Sequence, residues 1–201
     1  HYIDVNKKEK KIKNINLKLI GEHNVLNATA AIAVCINIGV SIETIKKTLK
    51  SFTGVQRRMT KIFIKNKNEF FDDYAHHPTE ISSILDGVHK VYKKRKIIAV
   101  FEPHRYSRVV TLKKAFSKSF SKADLVLICP LYPAGEKKKL NFNLFHFPKL
   151  ISKNSKVQIV LIKNPNELSN YFKKNLISNE IIIGMGAGSI SQWMRGLKLS
   201  L

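Results

Sequence analysis

Between residues 60 and 193, short apolar runs rich in Ile, Val and Leu alternate with longer segments of helical pattern. A hairpin of strands at 60–64 and 69–73 comes first, and the later strand-like runs are 96–101, 124–129, 157–162 and 180–184. The helical segments are 78–92, 110–121, an irregular stretch at 142–152, and two that follow Asn164-Pro165 and Gly188. Strands that alternate with helices are joined by crossovers, which produce a parallel sheet. The sequence therefore predicts an α/β fold with a mostly parallel sheet.

The chain before residue 59 has a different pattern. Residues 24–38 are Ala-rich and apolar nearly all round, which predicts a buried helix. Residues 42–51 form an amphipathic pattern that Ser41 can cap. Residues 3–19 have a Lys- and Asn-rich strand-turn-strand pattern with no core of its own. We therefore expect a domain boundary near residue 59 and a chain that starts partway through a domain.

The net charge is extreme, at +22, from 36 basic and 14 acidic residues. Only six of the basic residues are Arg, and the Lys residues are spread in pairs along the polar faces of predicted helices. Nucleic-acid readers concentrate Arg forks and exposed aromatic side chains in one patch, so a solvated surface is favoured over nucleic acid. No signal peptide or long apolar span is visible, so a cytoplasmic protein without a membrane partner is expected.

Polar side chains follow two of the predicted strands. The segment 72–80 reads DDYAHHPTE and ends one strand, and the segment 102–108 reads EPHRYSR and ends another. Ligands of open α/β sheets collect beyond the carboxyl ends of the strands. Guanidinium and imidazole groups suit an anionic, phosphate-bearing ligand. We therefore expect a site for such a ligand at this edge of the sheet.

Individual side chains in these two segments have candidate roles. Asp73 can accept hydrogen bonds from ribose hydroxyls, and His76 can donate to an anionic group. Arg105 and Arg108 lie three residues apart after a strand and can converge on one carboxylate or phosphate. The alternative is a metal site built from the carboxylates and imidazoles of the first segment, Asp72, Asp73, His76 and His77.

Two further segments have a functional and a structural interpretation. In GEHNVLNA at 21–28, Asn24 can simply cap a helix, or His23, Asn24 and Asn27 can present polar groups to a heterocycle such as adenine. The pair in Gln56-Arg57-Arg58 is either a solvated charge pair or a phosphate clamp at the expected boundary. The run GMGAG at 184–188 indicates tight packing of a strand against a helix more than a dinucleotide fingerprint.

The sequence resembles the Mur ligase family over essentially its whole length. The motifs that carry the resemblance, in chain order, are GEHNVLNA, GVQRRM, DDYAHHPTE, EPHRYSR, LYPAGE and GMGAGSI. The resemblance implies that 1–59 are the tail of a central ATPase domain and that 60–201 are a C-terminal Rossmann-like domain. It also implies an N-terminal UDP-binding domain and the rest of the central domain upstream. The chain departs from the family where Glu102 replaces an expected Gln, and no Gly-x-x-Gly-Lys-Thr-Thr phosphate loop occurs.

The implied reaction is ATP-dependent amide bond formation in peptidoglycan precursor synthesis. L-alanine is joined to UDP-N-acetylmuramate through an acyl phosphate. The implied cofactors are ATP and Mg²⁺, with the metal ligands mainly in the part that this chain lacks. Because phosphoryl transfer depends on the phosphate loop, the chain alone is expected to be inactive. A non-catalytic, basic module that binds a nucleotide or nucleic acid is the alternative function.

The resemblance also implies roles for particular residues. Adenine contacts are implied for His23, Asn24 and Asn27. Ribose and phosphate contacts are implied for Arg58 and Asp73. Contacts to the carboxylate of alanine or muramate are implied for Tyr74, His76, Arg105 and Arg108. The catalytic set among these is His76, Arg105 and Arg108.

Overall fold

The computed structural model describes residues 2–3, 9–19, 21–137 and 146–201. Two compact units are formed, residues 1–54 and 55–201. This division lies close to the boundary expected near residue 59, and the assignment of the two parts to particular domains stays a prediction. Within the described ranges, none of the helices combines the length and apolar character needed to cross a bilayer.

The described part of the first unit contains a short strand pair and two helices. Strands β1 (Tyr2–Ile3) and β2 (Glu9–Lys10) pair antiparallel. Helix α1 covers Glu22–Asn37 and helix α2 covers Ile42–Ser51. The Ser41 hydroxyl accepts a hydrogen bond from the Thr44 amide at 3.2 Å, as the predicted cap requires.

Helix α1 has the predicted position but not the predicted burial. Val25, Leu26 and Val34 are each more than half exposed, at 54%, 65% and 61%. Within its own unit α1 packs against α2, and one short helix cannot cover an apolar helix on all sides. The prediction of a buried helix is therefore wrong for this unit as the structure describes it.

The described residues of the second unit form one six-stranded sheet. Its strands are β3 (Thr60–Lys65), β4 (Asn68–Asp73), β5 (Ile97–Phe101), β6 (Leu125–Ile128), β7 (Gln158–Leu161) and β8 (Ile181–Met185). Their order is β3-β4-β8-β5-β6-β7, and every pairing except β3 with β4 is parallel. The predicted mostly parallel α/β sheet is confirmed. The β3–β4 hairpin turns at Asn66 and Lys67, which have φ of 51° and 63°, as a two-residue type I′ turn requires.

In the described ranges of the second unit, five helices accompany the sheet. They are α3 (Pro78–Val91), α4 (Tyr106–Phe116), α5 (His146–Ser155), α6 (Pro165–Asn175) and α7 (Ile190–Ser200). Helix α4 starts four residues earlier than the predicted 110, directly after Arg105. Of the predicted helix at 142–152, the part at 142–145 lies outside the described residues.

The side chains of the sheet alternate between two buried layers. Phe71, Ala99 and Phe101 pack in one cluster with residues of α3, α4 and α5. Phe70, Ile98 and Val100 pack in the other, with residues of α6 and α7. A sheet buried on both faces needs strands that are apolar throughout, which explains the continuous apolar runs. Because β4, β8, β5 and β6 are adjacent and parallel, their carboxyl ends meet at one edge of the sheet.

Candidate functional site at the carboxyl edge of the sheet

The segments that leave this edge are hydrogen-bonded to one another. The Gly186 amide donates to the Asp73 carbonyl at 3.2 Å, and the Glu102 amide donates to the Met185 carbonyl at 2.9 Å. Further along, the Tyr132 amide donates to the Pro103 carbonyl at 2.8 Å. The structure thus brings the two polar segments of the sequence, 72–80 and 102–108, to one place, together with the segment that follows β6.

Asp73, the predicted ribose acceptor, is buried and already bonded. It is 1% exposed, and its two carboxylate oxygens accept from the amides of Met59 and Ala75, each at 2.7 Å. Burial raises the pKa of Asp73 to about 6, although both amides and the charge of Arg58 act in the opposite direction. Asp73 therefore fixes the chain at residue 59 to the end of β4, and its ribose role stays a prediction.

Asp72 is fully buried and anchors a second network. Its Oδ2 accepts from the Ser191 hydroxyl at 2.5 Å and lies 3.4 Å from Arg195 Nη2. Its Oδ1 lies 3.7 Å from Arg57 Nε, and neither of these two atoms has a hydrogen-bond partner among the described residues. The Arg57 Nη2 group donates to the Gly186 carbonyl at 2.6 Å. Arg57 is thereby directed inward.

Arg58 is left as the exposed member of the predicted phosphate clamp. Its side chain is 47% exposed, and its Nη1 lies 3.9 Å from Glu80 Oε1. The guanidiniums of Arg57 and Arg58 lie over the Tyr74 ring, at 4.7 and 5.8 Å from its centroid. Tyr74, the predicted substrate contact, is 37% exposed beside them.

The two adjacent histidines have different roles. His77 is the N-cap of α3, and its Nδ1 accepts from the Thr79 amide at 3.4 Å. His76 Nδ1 lies 2.8 Å from the Tyr74 carbonyl. A carbonyl only accepts, so Nδ1 carries the proton and Nε2 is left to face a ligand. The Glu80 carboxylate accepts from the amides of both histidines, at 3.0 and 3.1 Å, which fixes the loop.

His104 brings the second segment against the first. Its ring lies 5.6 Å from the His76 ring and is stacked on Tyr132 at 5.5 Å. Its Nδ1 accepts from Arg108 Nη1 at 3.0 Å. Arg105 is exposed at the N-terminus of α4. His76, Arg105 and Arg108 therefore share one region, where the two guanidiniums can donate to an anion and the free Nε2 of a neutral His76 is an acceptor.

We expect His104 to stay neutral well below pH 6. Burial, the charge of Arg108 and the neighbouring His76 lower the pKa of His104 to about 4. Since the folded-state pKa lies below the unfolded value, the stability it contributes is present above about pH 6.5 and is lost as the pH falls through about 4. An NMR titration of the His104 ring protons, assigned with a His104→Asn variant, measures this pKa. A midpoint near 6.5 would contradict the half-buried, Arg-bonded state of His104.

Glu102 and the glycines after β8 pack tightly against each other at this edge of the sheet. Glu102 is 2% exposed, and its Oε1 accepts from the Ser189 amide at 3.1 Å and from the Ser189 hydroxyl at 2.5 Å. A Cβ atom on Gly188 would overlap both Glu102 and the Tyr132 ring. The predicted tight strand-to-helix packing at GMGAG is confirmed at Gly184 in β8, where a Cβ atom would overlap the Met194 side chain of α7.

Sequence reasoning assigned no role to two residues of the LYPAGE segment. Tyr132 stacks on His104, and Glu136 accepts from the amide and the hydroxyl of Ser107 at the start of α4. The available signal was positional, since this segment also follows a predicted strand and so reaches the same edge of the sheet.

The predicted adenine contacts lie in the first unit. Asn24 and Asn27 are in the first turns of α1, three residues apart and hence on the same side of the helix. The side chain of His23 lies outside the described residues. The adenine role of all three stays a prediction.

The alternative metal site does not assemble. Among the residues that the structure describes, no group of three or more His, Cys, Asp and Glu side chains is placed to hold a metal ion. The carboxylates of Asp72 and Asp73 are bonded to protein groups, and His77 caps a helix.

Comparison with known proteins agrees with this fold. Residues 57–188 match the family described as Mur ligase, glutamate ligase domain. Because this match covers more than half of the chain, the protein belongs to the Mur ligase family.

Two curated relatives carry the same name. The chain is 52% identical over 191 residues to UDP-N-acetylmuramate–L-alanine ligase of Pelagibacter ubique, a match that covers 95% of this chain and 41% of that protein. It is 40% identical over 186 residues to the ligase of the same name from Bartonella henselae, with 92% and 39% covered. The chain thus spans about two fifths of the length of these relatives.

Solved structures show the same architecture. The crystal structure of UDP-N-acetylmuramate-alanine ligase from Thermotoga maritima matches with a TM-score of 0.77 and 28% identity, over 96% of this chain and 41% of that one. A murein peptide ligase from Psychrobacter arcticus matches with a TM-score of 0.68 and 28% identity, over 92% and 38%. The family and the fold are consistent with each other.

Proposed function

We propose that this chain acts in the ATP-dependent joining of L-alanine to UDP-N-acetylmuramate, as a cytoplasmic step of peptidoglycan precursor synthesis. The observation that carries the proposal is that the segments bearing His76, Arg105 and Arg108 meet where β4 and β5 end. The name shared by the most similar curated relatives supports it. The chain would supply one side of the active site, and the remaining parts of such a ligase would supply the other.

In the proposed reaction, the γ-phosphoryl group of ATP is transferred to the muramate carboxylate, and ADP leaves. The amine of L-alanine then attacks the carbonyl carbon of the acyl phosphate and loses a proton. The tetrahedral intermediate collapses as the bond to the phosphate oxygen breaks, which gives the amide and inorganic phosphate. The contribution expected from this chain is mainly positioning and charge neutralisation.

Binding of L-alanine is assigned to the hydrogen-bond donors around His104. Arg105 and Arg108 would bind a carboxylate through charge-assisted hydrogen bonds. Binding the alanine carboxylate there fixes where its amine points, because both groups share one carbon atom. His76, with Nδ1 bonded to the Tyr74 carbonyl, presents Nε2 to the same region, with Tyr74 at its edge.

Binding of ATP is assigned to residues on the other side of Tyr74. Arg58 is exposed and can bind a phosphate group. Asp73 would accept from a ribose hydroxyl in addition to its two amide bonds, and His23, Asn24 and Asn27 would contact adenine. Mg²⁺ is proposed as a cofactor of the whole ligase, but the described residues do not form a site for it, so no step of the chemistry is assigned to it here.

A hybrid enzyme tests the proposal. In this hybrid, the 201 residues of this chain are fused to the part of the Pelagibacter ubique ligase that has no counterpart in this chain. We expect ADP release that depends on both UDP-N-acetylmuramate and L-alanine, and little release from the 201-residue chain alone. A hybrid that folds and binds ATP, yet releases ADP equally with and without L-alanine, would exclude the proposed reaction.

A further inference from the structure

We infer that Glu136 is a positioning residue, which holds the first turn of α4 so that Arg105 points at the anionic substrate group. The inference rests on the proposed function for the identity of that group. It concerns the loop after β6, to which neither the sequence motifs nor the comparisons assign a role.

The backbone of Arg105 is in an unfavourable conformation. Its φ is +68° with ψ of 130°, a region that residues with a Cβ rarely occupy. Such a conformation persists only where the surroundings determine it. Arg105 itself gives the helix no side-chain cap in the described structure, so the restraint comes from other residues.

Two contacts from the loop after β6 hold the chain on either side of Arg105. On the N-terminal side, the Arg105 amide donates to the Tyr132 carbonyl at 2.9 Å. On the C-terminal side, Glu136 Oε2 accepts from the Ser107 amide at 3.0 Å, and Glu136 Oε1 accepts from the Ser107 hydroxyl at 2.5 Å. The strained residue is therefore fixed between two anchors from one loop.

Glu136 supplies the carboxylate that the start of α4 lacks. The first turn of α4 contains no acidic residue of its own, and free amides at a helix N-terminus favour a negative partner. The hydrogen bonds from Ser107, together with the nearby charge of Arg105, hold the pKa of Glu136 below its usual value. The carboxylate thus stays ionised while it holds this turn.

Positioning matters here because a guanidinium binds a carboxylate well only as a correctly directed planar fork. Without Glu136, the backbone at Arg105 can relax to an ordinary conformation, and the side chain then leaves from a different angle. The loss should appear in the binding of the substrate carboxylate, since the nucleotide contacts proposed above lie on other residues.

Hydrogen exchange in the 201-residue chain tests the structural half of the inference without any reaction. Glu136→Ala should raise the exchange rate of the Ser107 amide at least tenfold, and Glu136→Gln, which keeps one acceptor oxygen, should raise it less. Glu167→Ala is the control, because the Glu167 carboxylate also accepts a backbone amide beside a helix start, that of Lys163 just before α6, at 2.6 Å. An unchanged exchange rate of the Ser107 amide in Glu136→Ala would overturn the inference. If the alanine variant does not fold, the same result in Glu136→Gln would overturn it.

Kinetics of the hybrid enzyme test the functional half. Glu136→Ala should raise the KM for L-alanine about tenfold while kcat and the KM for ATP change by less than about threefold. Glu167→Ala should leave all three constants unchanged. If the unmodified hybrid makes no product, the proposed function fails and the exchange experiment still decides the structural half.

A double-mutant cycle separates positioning from direct contact. If Glu136 acts through Arg105, then Glu136→Ala should add little to the rise in KM that Arg105→Ala already causes. Fully additive effects would show that Glu136 meets the substrate itself, which would overturn its assignment as a positioning residue.

Discussion

Replacing Asp72 with alanine is expected to lower the free energy of unfolding of the second unit by about 3–5 kcal/mol, the usual cost of breaking a buried ion pair by removing one partner. The Asp72 side chain is fully buried against Arg57, Ser191 and Arg195. Its removal leaves the Arg57 guanidinium near the protein interior without a carboxylate. Arg195 adds little, because its side chain is half exposed and its ion pair is screened by water.

Urea unfolding followed by the fluorescence of Trp193 measures this effect. Trp193 is the sole tryptophan and lies in α7, so the signal reports on the second unit. Asp86→Ala is the control, since Asp86 lies partly exposed on α3 and such substitutions usually change stability by less than about 0.5 kcal/mol. A loss below about 1 kcal/mol for Asp72→Ala would be typical of an exposed ion pair and would contradict the buried network.

Arg105→Lys in the hybrid enzyme is expected to raise the KM for L-alanine roughly tenfold to over a hundredfold. Lysine keeps the charge but loses the planar fork of the guanidinium. One charge-assisted hydrogen bond is worth on the order of 1.5–3 kcal/mol, which corresponds to this range of affinity. The KM for ATP should change little, because Arg58 and Asp73 are the residues assigned to the nucleotide.

The comparison of the two constants is the decisive measurement. Arg108→Lys should act in the same direction, with the added loss of the hydrogen bond to His104. If Arg105→Lys instead raised the KM for ATP and left that for L-alanine unchanged, these arginines would belong to the phosphate contacts. The division of the site between Arg58–Asp73 and Tyr74–Arg108 would then be wrong.

The elements of the second unit were predictable because their signals are local. Apolar runs such as 96–101 and 180–184 are buried on both faces of the sheet, and a strand of that kind needs no distant residue to be recognised. The hairpin at Asn66 and Lys67 was predictable for the same reason. The position of β8 between β4 and β5 was not, because strand order in a parallel sheet depends on pairings between residues far apart in the chain.

Within the candidate site, residue types were predictable and their bonding partners were not. The sequence shows two carboxylates at the end of β4, but not that Asp73 would bind two amides or that Asp72 would lie under α7. The exposure of α1 could not be predicted either. An apolar pattern shows which face of a helix can be buried, but not whether another element packs against that face. The role proposed for Glu136 depends on a contact across 29 residues.

The central position of β8 determines when this site can exist during synthesis. The strand that ends at Asp73 and the strand that ends just before Glu102 do not pair with each other, because each pairs with 181–185. When the ribosome has translated the chain as far as residue 175, every side chain proposed for binding alanine has been made. The two strands that precede these side chains still lack the strand that pairs with both of them. Until the last strand enters between them, the nascent chain presents two unpaired strand edges, which are surfaces that chaperones bind and that aggregate when left uncovered.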